Sequence, residues 1–479
     1  MLAPPPQAKA AEAPARQSTT VAGKYVAMRE DLGETLRLAW PMALTQLGQV
    51  AMMTTDLVLL GRLGDQMVAA AALANTILFA AFTIGMGLVS AVAPLASQAF
   101  GARRPRMVRR ALRVGLWAVL IMGVPLTLAQ LWGERILVAL GQAPEVATLA
   151  GQYLAGLCWS LMPAWGFMAV RNFMSSVNRP EPALWITLAA IPANAVLAYL
   201  LIHGGFGLPA LGVFGAGLAS SIVSVATFVA ALIVCCTRRP FAKYHVLGRF
   251  WRPDWVLMRQ LIMVGAPISG AFMLEFGAFA TAALLMGRLG TTALAAHQIT
   301  LQTASILWMV PFGISLAATV RVGHAVGRRD TAAARRAGFA ALALGAVFMA
   351  VMTIVVAVSR HWIPVAFLGA SAAGAPDTVA LAAFLLALST TFFIADGLQT
   401  IAAGALRGLN DTKVPLLFAA LSFWPIGMFA GFELAFDAGL GAAGVWVGLS
   451  LGLIVQAVLL VTRFQILTGR GRLPDAPHE

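Results

Sequence analysis

The sequence predicts an all-α integral membrane protein, with twelve transmembrane helices in two six-helix lobes related by a pseudo-twofold axis along the membrane normal. Three observations carry this expectation. Sixty per cent of the residues are hydrophobic and only 11% are charged, which excludes both an ordinary soluble protein and a disordered one. A helix needs about 20 apolar residues to cross the hydrocarbon core, and twelve such stretches occur along the chain. The run from Pro41 to Gly101 returns from Pro267 to Gly327 at a constant offset of 226 residues, without a gap.

The spans are expected near 36–60, 68–98, 109–131, 148–170, 180–203, 211–236, 257–286, 294–321, 336–358, 378–404, 414–436 and 441–466. Within the repeat, Gly61-Arg62-Leu63-Gly64 returns as Gly287-Arg288-Leu289-Gly290, and Ala69-Ala70 as Ala295-Ala296. Further on, Leu211, Gly212, Gly215 and Ser221 reappear as Leu440, Gly441, Gly444 and Ser450, and Asn178 before Pro180 resembles Asn410 before Pro415. Six spans return the chain to its starting side, so the halves run parallel, with substrate and ion sites expected near the midplane. The domains follow: a disordered tail at 1–34, a first lobe at 35–237, a basic linker at 238–259, a second lobe at 260–466 and a tail at 467–479. The first forty residues lack the apolar core of a signal peptide, so no cleaved leader is expected.

A net charge of +14 suggests nucleic acid until the charges are placed. Of the 33 Lys and Arg, only Arg62, Arg135, Arg288 and Arg360 fall on the side reached after odd-numbered spans. The other side carries clusters at Arg103 to Arg113, Arg238 to Arg259 and Arg321 to Arg336. The positive-inside rule makes that side cytoplasmic, with both termini inside, and gives the clusters to topology and anionic lipid. Arg outnumbers Lys 29 to 4, a bias of GC-rich bacterial genomes, and the expected address is the bacterial inner membrane.

Pro41 in span 1 and Pro267 in span 7 occupy equivalent positions, and each is expected to bend its helix. Gly85, Gly87 and Gly313 allow close helix approach. The two copies of the repeat differ in their acids. Asp56 near the outer end of span 1 corresponds to Ala282, Gln49 corresponds to Glu275 of span 7, and span 10 carries Asp396. A carboxylate at a helix centre costs roughly 2.5 to 3.5 kcal/mol on insertion scales unless a proton, a metal cation or a cationic substrate relieves it. Asp56, Glu275 and Asp396 are therefore the candidate cation- or proton-binding residues. Asn75, Asn194, Ser220 and the pair His297 and Gln298 are softer polar candidates, each equally able to serve as an interhelical hydrogen bond. Three cysteines are too few for a disulfide framework. No phosphate loop and no HExxH motif is present; no cofactor is expected, and any pumping must draw on an ion gradient or a partner subunit.

At Pro41, Gln49, Asp56 and Gly64, at Pro267, Glu275, Gly287, Gly290, Ala295, Ala296, His297 and Gln298, and at Asp396 with Gly404, Leu406, Arg407 and Gly408, the chain resembles the multidrug and toxic compound extrusion family, in particular its NorM-type bacterial branch. The resemblance covers about residues 35–465. It implies a two-lobed exporter of cationic amphipathic compounds in exchange for H+ or Na+, not an enzyme. It also implies that Glu275 and Asp396 are the cation-binding acids of the second lobe, a Na+ site included, and that Asp56 is the acid of the first. Gln49, Asn194 and Ser220 would form a polar network around Asp56, and His297 and Gln298 one in the second lobe. Two departures matter. A tyrosine one turn before the span 10 acid is Phe392 here, which removes an oxygen ligand, and an asparagine one turn before Asn194 is Ala190. The coupling ion stays open between H+ and Na+, tilted toward H+. The expected partners are small amphipathic cations and membrane lipids, with no nucleic acid, and the chain is expected to act as a monomer. The competing readings are a flippase of lipid-linked saccharides, an exporter of an endogenous metabolite, and a membrane-embedded enzyme or channel.

Overall fold

A computed structural model describes residues 21–61, 65–139, 141–204, 209–248, 250–369 and 374–469. Of the expected tails, 1–20 and 470–479 lie outside the described residues. The described chain is helical and carries no strand. The membrane-crossing segments are α1 (Val21–Gly61), α2 (Ala70–Gly101), α3 (Pro105–Leu131), α4 (Pro144–Ser176), α5 (Glu181–His203), α6 (Gly212–Thr237), α7 (Trp255–Leu289), α8 (Thr291–Gly327), α9 (Thr331–Ser359), α10 (Pro376–Leu388 with Thr390–Gly408), α11 (Lys413–Asp437) and α12 (Ala442–Gly469). Eleven are single spans and α10 is a broken one, bent by 52°.

Two expectations need correction. Residues 21–34 are not an irregular tail, because α1 already runs through them, and Asp31 and Glu34 accept from Arg321 of α8 at 2.8 and 2.7 Å. The basic linker ends sooner than 259, since α7 starts at Trp255 on its Asp254 cap. Pro41 and Pro267 lie inside helices that run on through them, where each proline deletes one hydrogen bond and crowds one carbonyl. A sharp break falls at Ser389, with no proline.

The six helices α1 to α6 form one lobe and α7 to α12 the other. Small residues set the spacing inside each. In the first, Gly156 of α4 and Gly217 of α6 face each other's backbone; in the second, Gly427 and Gly431 of α11 meet Gly448 of α12. The lobes join where α1 crosses α8 and α2 crosses α7. These contacts obey the repeat. Gly87 lies on the backbone of Ser269, and its counterpart Gly313 lies on Ala43, the counterpart of Ser269, so closely that an added Cβ would stand 2.6 Å from the Ala43 nitrogen. Gly323 touches Ser97, its own counterpart, so the pseudo-twofold axis passes between them.

Polar bonds between the lobes follow the same symmetry. Arg110 pairs with Asp254 at 2.6 Å and its counterpart Arg336 with Asp31 at 3.1 Å. Gln98 donates to the carbonyl of Gly408 at the end of α10 at 2.9 Å, and its counterpart His324 donates through Nε2 to the carbonyl of Ser176 at the end of α4 at 2.7 Å. Among the described residues, the hydrogen bonds and ion pairs between lobes lie from the level of Ser269, which donates to the Ile84 carbonyl at 2.7 Å, down to the arginine-rich face.

Asp254 works twice, pairing with Arg110 and accepting from the Leu257 N–H at 3.2 Å as the cap of α7. Burial alone would raise its carboxyl, but the bonds from Arg110 and Leu257 and the charges of Arg110 and Arg113 outweigh it and hold the group below its ordinary value. A depressed folded pKa contributes stability that is present above the unfolded pKa and lost as pH falls through the folded one. Asp254→Ala should therefore destabilise the protein by about 1 kcal/mol at neutral pH. The measurement is the melting temperature of purified protein, and the gap between variant and wild type should shrink once the pH drops below the ordinary aspartate range.

Candidate functional site

The candidate acids fall into two separate clusters, one in each lobe. In the second lobe α7 presents Glu275, and α10 presents Asp396, Gln399 and Thr400, which share a face because residues three and four apart are neighbours on a helix. Gln399 Nε2 lies within hydrogen-bond distance of Glu275 Oε1 at 3.2 Å, Asp396 Oδ1 at 3.2 Å and Thr400 Oγ1 at 3.1 Å. A primary amide has two hydrogens for these three acceptors, enough for one to each carboxylate when Thr400 takes its donor elsewhere. Trp308 of α8 also donates to Thr400 Oγ1 at 2.9 Å, and Gln456 of α12 donates to Gln399 Oε1 at 3.4 Å. Glu275 Oε2 and Asp396 Oδ2 have no hydrogen-bond partner among the described residues. Asp396 is only 5% exposed, whereas Glu275 is half-buried and lines a pocket with Pro267, Trp308, Gln399, Arg407 and Gln456.

Arg407, one helical face down α10, is also buried, with its guanidinium 5.4 Å from the Phe272 ring centroid and within electrostatic reach of Glu275, but not in ion-pair contact with it. Phe392 contributes no oxygen here. Its ring packs against Phe279, Phe393 and Trp446 at centroid distances of 6.3, 5.9 and 5.5 Å. Among the described residues, no group of three or more His, Cys, Asp and Glu could hold a metal ion. The available hard ligands are two carboxylates with neighbouring amide and hydroxyl oxygens, chemistry that suits a proton or a small hard cation.

In the first lobe Asp56 of α1 accepts from Asn194 of α5 at 2.6 Å and from Ser220 of α6 at 2.8 Å, one donor to each oxygen. Tyr153 of α4 lies within electrostatic reach of Asp56 and shares a hydrogen bond with Asn75. Gln49 is not part of this cluster. It makes no side-chain hydrogen bond, and the α1 glutamine that does is Gln46, which accepts from the buried Arg171. His297 and Gln298 do not form a network either. The His297 ring is fully buried 5.6 Å from Trp446 with neither nitrogen hydrogen-bonded, and Gln298 faces outward. His297 thus sits in the aromatic group around Trp446.

Sequence reasoning missed Gln399, Gln456 and Tyr153. Gln399 was detectable as the polar residue three after an acid; Tyr153 and Gln456 become visible only once their helices are packed.

The sequence profile of the MatE family matches residues 41–200 and 267–432. The two matched stretches start 226 residues apart, the same offset as the repeat and the symmetric lobe contacts. The chain belongs to the MatE family. It is 64% identical over 445 residues to a protein of Rhodopseudomonas palustris named "Probable multidrug resistance protein NorM", covering 93% of this chain and 94% of that one. A protein of the same name from Bradyrhizobium diazoefficiens is 56% identical, covering 92% and 95%. The crystal structure of a eukaryotic MATE transporter superposes with a TM-score of 0.83 at 21% identity, covering 93% of this chain and 99% of that one, which establishes the fold alone. Within that MatE fold, each lobe of this chain carries its own acids, Asp56 in the first and Glu275 with Asp396 in the second.

Asp56→Asn tests the first-lobe site by charge alone. The Ser220 hydroxyl can turn to accept from the new amide, so the fold should survive. If Asp56 carries a coupled charge, substrate accumulation at 100 mV should fall by about 50-fold, measured as dye uptake into inverted vesicles. Unchanged accumulation would make it a purely structural acid.

Proposed function

We propose that the protein is a multidrug efflux antiporter of the bacterial inner membrane, exporting cationic amphipathic compounds in exchange for H+ or Na+ by alternating access. The observation that carries this reading is the pair Glu275 and Asp396, which share one amide donor deep in the helix bundle and each keep an oxygen without a partner. A site short of positive charge in a low-dielectric surrounding is relieved by taking up a cation. The names of the bacterial relatives, multidrug resistance proteins at up to 64% identity, support the cargo class.

The pocket at Glu275 has a volume of about 40 Å³, room for a small ion or a few waters at roughly 10–15 Å³ each, and well short of the roughly 300–1,000 Å³ of a drug-sized site. In this reading the drug enters when the lobes part at the arginine-rich face, which the positive-inside rule makes cytoplasmic. The closed contacts at that face then belong to the half of the cycle in which the ion arrives from outside and the drug leaves. A cation on Glu275 or Asp396 removes the negative charge that holds a cationic drug, so ion and drug bind in alternation.

Purified protein in liposomes, with Na+ and pH gradients imposed separately, tests the reading. Export driven by a pH gradient alone is expected. Export driven only by Na+ would change the coupling ion, and export driven by neither would remove the antiport mechanism.

A further inference from the structure

Between the lobes, on the arginine-rich face, lies a cavity of about 340 Å³ that the transport cycle above does not use. Its wall includes Arg103 and Arg104 from the loop between α2 and α3, Asn178 after α4, Tyr244 from the linker, and His324 and Arg328 at the end of α8. It contains no carboxylate. Among the described residues, none of the three arginine side chains has a hydrogen bond or ion pair.

The repeat supplies an internal comparison. The backbone of this cleft recurs at its counterpart: Arg103 and Arg329 are both left-handed with φ of 56° and 58°, and Asn178 and Asn410 with 61° and 59°. The side chains do not recur. Arg328 corresponds to Ala102, Arg104 to Asp330 and His324 to Gln98. In the second cleft the chain supplies its own acid and its own hydrogen bonds, since Asp330 caps α9 by accepting from the Ala333 N–H at 2.8 Å and Asn410 donates to Gln98 at 2.8 Å. In the first cleft α3 has no side-chain cap, and the Asn178 side chain has no hydrogen bond. One scaffold thus has a cleft with its own acid on one side of the axis and an open, wholly basic one on the other.

Like charges converging from two lobes repel, and guanidinium forks match the geometry of phosphate oxygens. We propose that this cavity is a binding site for a phosphate group, presented by the headgroup of an anionic lipid or by a free phosphate, with Arg103, Arg104 and Arg328 as its charged donors and the Tyr244 hydroxyl as a neutral one. Because the wall draws on both lobes, the bound anion offsets the repulsion that closure creates, and parting the lobes takes the site apart.

The test uses the full chain in detergent, with phosphatidylglycerol, phosphatidylcholine and inorganic phosphate as probes and native mass spectrometry as the readout. The variants are Arg104→Asp and Arg328→Ala, each of which installs the residue that the same backbone already carries in the other cleft, with Arg329→Ala as the control. Wild type should retain phosphatidylglycerol and release phosphatidylcholine. Arg328→Ala should weaken retention on the order of tenfold, the loss expected for one charge-assisted contact; the charge reversal in Arg104→Asp should weaken it further, and the control should behave as wild type. Displacement of the lipid by inorganic phosphate would identify the phosphate group itself as the recognised element, and lipid that phosphate cannot displace would assign the site to the headgroup; both support it. Equal retention of phosphatidylcholine, retention of no anion, or undiminished retention in both arginine variants overturns the proposal. Matching melting temperatures for wild type and variants without added anion would exclude misfolding as the cause of a loss.

Discussion

Glu275→Gln and Asp396→Asn are each expected to abolish gradient-driven accumulation while leaving a protein that inserts and folds. Both substitutions keep shape and keep an oxygen able to accept from Gln399, whose Nε2 stands 3.2 Å from each carboxylate. What disappears is the charge. One charge crossing 100 mV supplies about 2.3 kcal/mol, or roughly 50-fold accumulation. Loss of a coupled carboxylate should bring the ratio of substrate across the vesicle membrane down by that factor, toward equilibration. The measurement is dye accumulation in inverted vesicles, with melting temperature as the folding check. Wild-type accumulation in both single variants would end the role assigned to the second lobe.

The second large effect is expected from alanine at the lobe junction. Gly87 and Gly313 touch backbone rather than a flexible side chain on the opposing helix, and the Cβ of Gly313→Ala would sit 2.6 Å from the Ala43 nitrogen and Cα. Carbon contacts are comfortable at about 3.5 to 4.0 Å, so α8 would have to move off α1 by roughly 1 Å, and α2 off α7 for Gly87→Ala. Overpacking of this kind costs about 1–3 kcal/mol, charged to the closed arrangement alone, which is a factor of about 5–150 in the balance between closed and open. Spin-label distances across the arginine-rich face should lengthen in either variant and lengthen most in the double variant. Distances equal to wild type would mean that the junction yields elsewhere.

The fold was legible because its main determinants are periodic. The 226-residue offset required two parallel lobes, and the structure repeats it in contacts no sequence comparison sees, such as Gly87 on Ser269 against Gly313 on Ala43. The acids were legible because a carboxylate stands out in an apolar run. Their partners were harder to read. Gln399, Gln456 and Tyr153 are ordinary polar residues until packing aims them, and Gln49 and Gln46, three residues apart on α1, could not be ranked without knowing which of them faces Arg171. His297 and Gln298 stood out as a polar pair and proved to point to an aromatic wall and outward, because adjacent residues on a helix face different directions. The helical start of α1 was hidden for a similar reason, since Asp31 and Glu34 gain their order from Arg321, nearly three hundred residues away in the chain.

The arginine-rich face carries two clasps, Arg110 on Asp254 and Arg336 on Asp31, and each ties one lobe to the other. Parting the lobes at that face would have to break both ion pairs, so a substitution that removes one leaves the other to hold the two halves together.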